Sequence, residues 1–251
     1  MVTTQYVDPK FGFVTNLEKP KEPKHRSTRV FTTRPYFAGF KDKEGDKIDF
    51  GVLSLTTVSP GYLVVLCEGR RGEGFYICGA CGAGFRRREN SHKSPLGQDC
   101  LGTVEQVSLG HEFVTDVLQL QFHPEPGGDM HTLWLAYSLA YALVEGAAEV
   151  LEVPSTDLSA TVAHGEKYHL PPIVIYDNVP GGAGLVSRLE DVKTLRESLE
   201  TALKRVATCT GCGENSSCYS CLRSYRNQFA HQYLQRGPVM HYLQSLLTKW
   251  A

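Results

Sequence analysis

Two C-x-x-C pairs separated by five residues lie in the stretch CTGCGENSSCYSC, residues 209–221. Tetrahedral zinc takes four thiolates at about 2.3 Å, and each C-x-x-C turn supplies two of them. The sequence therefore predicts a structural metal ion held by Cys209, Cys212, Cys218 and Cys221, with a helix beginning near Cys218. An iron–sulfur cluster also takes four thiolates and is the main alternative, and a redox-active C-x-x-C pair is a further one.

A second cysteine pattern, CGACGAGFRRRENSHKSPLGQDC, occupies residues 78–100. Cys78 and Cys81 form another C-x-x-C pair, and Cys100 supplies a third thiolate. His92 is the expected fourth ligand, with Cys67 and His111 as alternatives. Four protein ligands leave no position for an activated water, so both sites are expected to be structural, with about two zinc ions per chain.

Basic residues accompany both cysteine patterns. The residues predicted to contact nucleic acid are Arg86, Arg87, Arg88, Arg223 and Arg226. Tyr219, Tyr225 and Phe229 interleave with the second set, as in proteins that stack bases on aromatic rings beside a basic track. A solvated surface is the alternative interpretation of these charges.

A glycine loop follows the apolar segment IVIYD in the stretch IVIYDNVPGGAGLVSRL. Free backbone amides at the start of the following helix could hold a phosphate, and the candidate loop residues are Pro180, Gly181, Gly182 and Gly184. A sharp turn with close packing of helix and strand is the alternative. No Gly-Lys-Ser/Thr follows, so the sequence is not a Walker A motif and predicts no ATPase.

Paired carboxylates offer one enzymatic possibility. Asp116 and Asp177 lie near predicted strand ends, where they would hold a magnesium ion in a metal-dependent nuclease. The lysine and glutamate expected beside such a pair are missing from the adjacent strand positions, so this is the minor alternative.

The composition is that of a globular protein of 251 residues with a formal net charge of −1. The stretch MVTTQYVDPKFGFV lacks the basic and apolar regions of a signal peptide, so an intracellular location is expected. The most apolar stretch, 133–144, is shorter than the roughly 20 residues needed to span a bilayer. A cytoplasmic location without membrane contact is therefore expected. Because the cytosol keeps thiols reduced, the eight cysteines favour metal binding over disulfides.

The elements that must position these residues follow from hydrophobic periodicity. Strands are predicted at 29–37, 47–57, 61–68, 115–122 and 173–177, with VSPGY as the turn between the second and third. Helices are predicted at 130–153, 185–206 and 238–250. The fold class is therefore mixed α+β: a β-rich front half with an inserted zinc knuckle precedes a helix-rich half with a strand, a glycine loop and a long helix leading to the four-cysteine knuckle. An extended arm at 1–28 and one domain at 29–251 are expected.

The stretches YDNVPGGAGL, CTGCGENSSCYSCLRSYRNQFAHQYLQRG and LGHEFVTDVLQLQF together resemble the MrfA-like zinc-binding domain of DNA helicases, over about residues 75–237. The front segment, with YVDPKFGFVTN and TTRPYF, is more similar to DrmB-type proteins of the DISARM anti-phage system. The resemblance implies that the cysteines at 209–221 bind zinc and that Pro180, Gly181, Gly182 and Gly184 form the family's glycine loop.

That resemblance implies an accessory role for a chain that lacks motor motifs. The expected function is a zinc-stabilised module of a DNA-helicase system in repair or anti-phage defence, partnered with a superfamily 2 helicase or another subunit and binding DNA. A protein-interaction scaffold that never touches DNA is the alternative.

Overall fold

The computed structural model describes residues 6–7, 33–40, 47–67, 74–85, 87–123, 132–163 and 170–250, and structural statements here concern these residues. They divide into two compact units: the first takes residues 1–34 and 64–112, and the second takes residues 35–63 and 113–251. The predicted mixed α+β class is confirmed. Of the predicted arm at 1–28, only Tyr6–Val7 is described, and the single domain at 29–251 stays a prediction.

The strands are β1 (Tyr6–Val7), β2 (Thr33–Phe40), β3 (Lys47–Asp49), β4 (Leu53–Cys67), β5 (Phe75–Cys78), β6 (Gly84–Phe85), β7 (His92–Lys93), β8 (Asp99–Cys100), β9 (Val104–Phe122), β10 (Leu158–Val162) and β11 (Ile173–Asp177). The α-helices are α1 (Thr132–Leu151), α2 (Val192–Ala207) and α3 (Arg236–Lys249), and short 3-10 helices span Val186–Glu190 and Gln228–Ala230. No helix in the described ranges has the length and apolarity needed to cross a membrane.

The second unit is built on a sheet with strand order β10-β11-β9-β4-β2, in which β3 also pairs with β4. Strand β11 runs antiparallel to both β10 and β9, with Ile175 opposite Leu118. Alternate side chains point to opposite faces of a strand. Ile173 and Ile175 accordingly enter the main core, while Val174 and Tyr176 pack in a smaller cluster.

Helix α1 lies in the middle of the main core and is buried on most sides, as its sequence predicts. Gly146 allows α2 to approach, since a Cβ at this position would come within 2.8 Å of the Ala202 backbone nitrogen. Helix α2 begins after Asp191, whose side chain accepts a hydrogen bond from the Thr194 amide. This N-cap separates α2 from the 3-10 helix at Val186–Glu190, so the single helix predicted at 185–206 is wrong at its start.

In the first unit, β5 pairs antiparallel with the beginning of β9, and β6 pairs with β5. Strands β7 and β8 form a separate two-stranded hairpin. Sequence analysis missed these short strands, because two to four residues carry no usable periodicity.

The turn predicted at VSPGY is wrong, because β4 continues from Leu53 to Cys67. Gly61 has a packing role instead: a Cβ there would overlap the Val117 side chain on β9. Glycine inside a strand can mark a close approach of this kind as well as a bend.

The strand predicted at 47–57 is interrupted. Gly51, at φ +80°, makes a turn between β3 and β4, and its amide donates to Asp49 Oδ1 over 2.9 Å. The strand predicted at 115–122 is the end of the much longer β9, and β10 was missed. Three expectations are confirmed within a few residues: the strand at 173–177 and the helices at 130–153 and 238–250.

Candidate metal centres and glycine loop

The four cysteines of 209–221 converge in the second unit, in what we call the four-cysteine site. Their Sγ atoms lie 3.8 Å apart for Cys209–Cys212, 3.5 Å for Cys209–Cys218, 3.7 Å for Cys212–Cys221 and 3.8 Å for Cys218–Cys221. All four ligand atoms lie within 4.8 Å of one another. A tight turn places the second pair: the Cys218 carbonyl accepts hydrogen bonds from the amides of Cys221, Leu222 and Arg223. The helix expected near Cys218 is therefore wrong, and this turn takes its place.

These separations fit one tetrahedral ion. Four sulfur atoms at about 2.3 Å from a central zinc ion lie about 3.8 Å from each other. A disulfide would need a sulfur–sulfur distance of about 2.05 Å. A cluster of several iron and sulfide atoms does not fit between sulfur atoms that are already nearly in contact. The geometry thus favours a single ion over the iron–sulfur alternative.

The thiols of this site have divergent pKa values. Burial raises the pKa of Cys221 to about 12 and also raises that of Cys212. Burial opposes ionisation of Cys218 too, but hydrogen bonds from the Ser220 amide and neighbouring thiols outweigh it and lower its pKa to about 7. Four adjacent thiolates repel each other, so full deprotonation requires a cation among them.

The four-cysteine site packs on the core and accepts hydrogen bonds from two arginines. Cys221 and Leu222 belong to the main core. Arg205 on α2 donates from Nε to the Cys221 carbonyl over 3.1 Å and pairs with Glu145 over 3.0 Å. Arg236 at the start of α3 donates from Nε to the Cys212 carbonyl over 3.1 Å. Sequence analysis missed these two hydrogen-bonding arginines, since neither lies at a characteristic spacing from the cysteines.

Cys78, Cys81, His92 and Cys100 converge in the first unit as the three-cysteine site, with their ligand atoms within 4.8 Å of one another. Cys78 Sγ lies 3.8 Å from Cys100 Sγ, and Cys81 Sγ lies 3.3 Å from His92 Nε2. Of the two alternatives to His92, His111 is not among these four residues, and the side chain of Cys67 lies outside what the structure describes.

His92 is held by the hairpin and an aromatic contact. It pairs with Cys100 across β7 and β8. Its ring makes an edge contact with Phe85, with ring centroids 5.0 Å apart. Its Nε2 lies beside Cys81 Sγ, while its buried Nδ1 has no hydrogen-bond partner among the described residues. The tautomer with the proton on Nδ1 leaves the Nε2 lone pair for a metal ion.

Gly102 is the residue of the three-cysteine site that sequence analysis missed. A Cβ at this position would come within 2.6 Å of Cys78 Sγ and 3.3 Å of Cys100 Sγ. Its amide also donates to Cys100 Sγ over 3.4 Å. The hydrogen bond from the Cys81 amide is the largest of the effects that lower the pKa of Cys78 to about 6. Backbone amides thus stabilise thiolates at this site as well.

Every amide of the glycine loop from Gly181 to Val186 already has an acceptor in the described structure. The Gly181 amide donates to the Val114 carbonyl over 2.7 Å, and the Gly182 amide donates to the Val179 carbonyl over 3.0 Å. The remaining four amides donate to carboxylates. Asp177 accepts from Ala183 over 2.7 Å and from Leu185 and Val186 over 2.9 Å each, and Asp116 accepts from Gly184 over 2.9 Å.

Close packing explains the glycines of this loop. Gly181, Gly182 and Gly184 all have positive φ, which only glycine adopts readily. A Cβ on Gly182 would also overlap the Asp116 carboxylate. With these amides already used, the arrangement favours the packing turn over a phosphate site at Pro180–Gly184.

The same hydrogen bonds explain the role of the two carboxylates, Asp116 and Asp177. Asp177 is fully buried and Asp116 is 9% exposed, and both serve as acceptors for the loop. Buried carboxylates need such donors, so their role as loop anchors disfavours the metal-dependent nuclease.

The candidate nucleic-acid residues fall into two groups. Arg87 and Arg88 are exposed in the first unit, and Arg86 lies outside the described residues. Arg223 donates to Ser217 Oγ over 3.0 Å, and Arg226 donates to the Thr156 carbonyl over 2.6 Å.

The aromatic residues predicted to stack on bases differ in exposure. Tyr219 and Tyr225 are exposed by 63% and 83%, whereas Phe229 packs on Tyr137.

One protein-family model matches part of the chain. Residues 139–222 match the model of the MrfA Zn-binding domain, which confirms the resemblance over that range. The match includes the glycine loop and the four-cysteine site. No curated protein sequence matches the chain.

The comparison with solved structures gives one similar fold and one weaker match. The crystal structure of the DUF1998 helicase MrfA bound to DNA has a TM-score of 0.50 and 14% identity, covering 89% of this chain and 25% of that one. The structure of MrfA bound to DNA and AMPPNP has a TM-score of 0.36 and 12% identity, covering 84% and 22%. The chain thus spans about a quarter of the length of these helicases.

Proposed function

We propose that this chain, whose residues 139–222 match the model of the MrfA Zn-binding domain, is a zinc-stabilised accessory module of a DNA-helicase system with no ATPase of its own. The observation that carries the proposal is the four-cysteine site: its sulfur separations of 3.5 to 3.8 Å suit one zinc ion, and it lies inside the family match.

Zinc is assigned to both centres on their donor sets. Cys209, Cys212, Cys218 and Cys221 would hold one ion, and Cys78, Cys81, His92 and Cys100 the other. Bound zinc supplies cross-links between chain segments and no reaction chemistry, because all four ligands come from the protein. Metal analysis of the purified chain should give about two zinc ions. Iron with visible absorbance would contradict the assignment.

DNA is the proposed ligand of the module. The exposed basic and aromatic side chains support DNA binding. They are Arg87 and Arg88 in the first unit, Tyr219 within the four-cysteine segment and Tyr225 after it. Phosphate contacts release counterions, so affinity for single- or double-stranded DNA should fall steeply between low and high salt. Absence of binding at low salt by the zinc-loaded chain would overturn the DNA-binding function.

A scaffold that docks a helicase without touching DNA is the second candidate. It is favoured by the hydrogen bonds that commit Arg223 and Arg226 to the protein itself. Pull-down with a candidate helicase separates the two functions. A complex that survives charge reversal of Arg87 and Arg88, but is lost in Cys218→Ser, indicates a scaffold.

The cellular setting is part of the proposal. We place the chain in the cytoplasm, alongside a superfamily 2 helicase or another subunit of a repair or anti-phage system, with the DrmB-type resemblance favouring defence. A gene for a helicase or methyltransferase next to this one would support defence, and neighbouring repair genes would support repair.

A further inference from the structure

The last part of the chain, from within the four-cysteine segment onward, carries charge of one sign. Residues 215–251 contain no aspartate or glutamate, whereas the chain as a whole has a formal net charge of −1. Their basic residues, histidines apart, are Arg223, Arg226, Arg236 and Lys249. A local excess of positive charge of this kind attracts a polyanion.

Residues 222–231 form a loop in this part of the chain, which we call the tyrosine loop because it presents Tyr225 to solvent with 83% of the residue exposed. Asn227 holds the loop from inside and is only 2% exposed. Its Oδ1 accepts from the Ser224 amide over 2.8 Å, and its Nδ2 donates to the Leu222 carbonyl over 2.9 Å. The residue before Tyr225 is therefore fixed by a buried side chain.

The residue after Tyr225 is fixed as well. Arg226 is exposed, and its Nη1 donates to the Thr156 carbonyl over 2.6 Å. A guanidinium has several N–H donors, so this bond orients the group and leaves other donors for a phosphate. Tyr225 thus lies between two anchored neighbours.

Tyr219, in the second C-x-x-C turn of the four-cysteine site, is connected to the same loop. It is 63% exposed, and its ring meets the His231 ring edge-on with centroids 5.7 Å apart. His231 Nε2 lies 3.0 Å from the Ser224 carbonyl, directly before Tyr225. The two exposed tyrosines therefore belong to one connected surface.

The exposed side chains of this surface suit the bases of a single strand. An aromatic ring stacks on any base, because every base has a π-face. In a duplex the bases stack on one another, so their faces are not available to a tyrosine. Anchoring of the loop lowers the entropy lost on binding, since less of the surface has to be ordered.

The composition of the surface favours a nucleic acid over a protein partner. In residues 209–250, all of which the structure describes, the exposed large hydrophobic or aromatic side chains are Tyr219 and Tyr225. This part of the chain therefore offers two planar rings beside positive charge, and not the aliphatic patch that forms the core of many protein interfaces.

We propose that the surface formed by Tyr219, Tyr225 and Arg226 binds a single strand of DNA, with a base stacked on each tyrosine and a phosphate on the arginine. The inference rests on the proposed DNA-binding function and adds to it a strand preference and a site. Docking of a protein on the same tyrosines is the competing outcome of the test.

Fluorescence anisotropy compares labelled oligo-dT with an abasic strand of the same length, about twelve nucleotides, using the full zinc-loaded chain at low salt. The abasic strand keeps the phosphates and removes the bases. The wild-type protein binds oligo-dT at least about tenfold more tightly than the abasic strand, because each stacked base contributes an effect of that order.

Tyr225→Leu weakens binding of oligo-dT about tenfold and leaves binding of the abasic strand nearly unchanged, because it removes a ring and no charge. A merely structural role of Tyr225 would weaken binding of both strands. Tyr225→Trp restores the affinity for oligo-dT, since indole also stacks. The control Leu101→Ala, at a fully exposed residue of the first unit, changes neither affinity.

Arg226→Ala weakens binding of both strands by a similar factor, because each strand keeps its phosphates. Arg188→Ala is the matched control in the second unit. Arg188 is also exposed, and its Nη1 also donates to a backbone carbonyl, that of Leu151 over 3.2 Å. Its replacement leaves the affinity for both strands unchanged. Zinc content and melting of each variant are measured alongside.

The possible failures are distinguishable. Equal wild-type affinity for oligo-dT and the abasic strand, with no effect of Tyr225→Leu, would overturn the stacking surface and leave the proposed function intact. A helicase partner that is lost in Tyr225→Leu, while binding of oligo-dT is retained, would assign the surface to a protein and also overturn the inference. Wild-type protein that binds neither strand and no duplex would overturn the DNA-binding function itself.

Discussion

Arg236 donates from Nε to the Cys212 carbonyl and from Nη1 to the Val206 carbonyl, over 3.1 Å each. Its backbone amide also donates to the Ser216 carbonyl over 3.0 Å. One residue at the start of α3 thus ties the end of α2 to the first turn of the four-cysteine site.

Arg236→Lys is expected to destabilise the protein by about 2 kcal/mol, because an ammonium group cannot reproduce the two directed hydrogen bonds. Zinc should also pass to a competing chelator faster. Urea unfolding and chelator kinetics measure the two effects. The control Arg87→Lys changes an exposed arginine and should alter neither the stability nor the rate of zinc loss. Equal stability and equal rates of zinc loss in the two variants would show that the Arg236 hydrogen bonds do not stabilise the site.

Gly102→Ala is expected to remove the metal ion from the three-cysteine site only. The added methyl group would overlap Cys78 Sγ, which lies 2.6 Å from the Cβ position. The zinc content found by metal analysis should fall from about two ions per chain to about one. Gly79→Ala is the matched control in the same knuckle, since nothing lies within 4 Å of its Cβ position. Full metal content in Gly102→Ala would show that the site adapts to the methyl group.

The cysteines could be found from the sequence because their spacing alone encodes two-ligand turns. His92 could be proposed because it lies between the C-x-x-C pair and Cys100. The buried strand at 173–177 and helix α1 carry strong hydrophobic patterns. Prediction was poorer where a residue serves a distant partner. Gly61 looks like part of a turn but packs on Val117, and Arg205 and Arg236 look like surface charges but bond carbonyls of the four-cysteine site.

The glycine loop shows the same limit. Its sequence is compatible with both a phosphate site and a turn, because either uses glycines with positive φ. The difference depends on which groups accept the amide hydrogens. Asp116 lies 68 residues away from Gly184, so local sequence contains no signal for this bond.

Asp177→Asn is expected to destabilise the protein by about 3 kcal/mol, because the carboxylate accepts three amides and an asparagine NH₂ would face one of these donors. Urea unfolding measures the loss. Asp191→Asn is the matched control: asparagine is an equally good N-cap for α2, so its stability should change little. Comparable losses in both variants would contradict the anchoring role of Asp177.

We expect the titration of His231 to make the stability of the protein depend on pH. Its Nε2 lies 2.9 Å from Asn227 Oδ1 and 3.0 Å from the Ser224 carbonyl, so this nitrogen carries a proton and donates. Burial lowers the pKa of His231 below its usual 6.5, and the nearby Arg223 charge adds to this. The unfolded chain therefore binds a proton first as the pH falls through about 6.5, and the free energy of unfolding decreases until the folded pKa is passed.

His231→Gln tests this dependence, because glutamine keeps a donor but cannot titrate. Its stability should decrease less than that of the wild type between about pH 7.5 and 5.5, as measured by urea unfolding at each pH. Comparing the two proteins cancels any loss of metal in acid, since both carry the same cysteine sites. Parallel curves of unfolding free energy against pH would show that His231 does not change its protonation on unfolding.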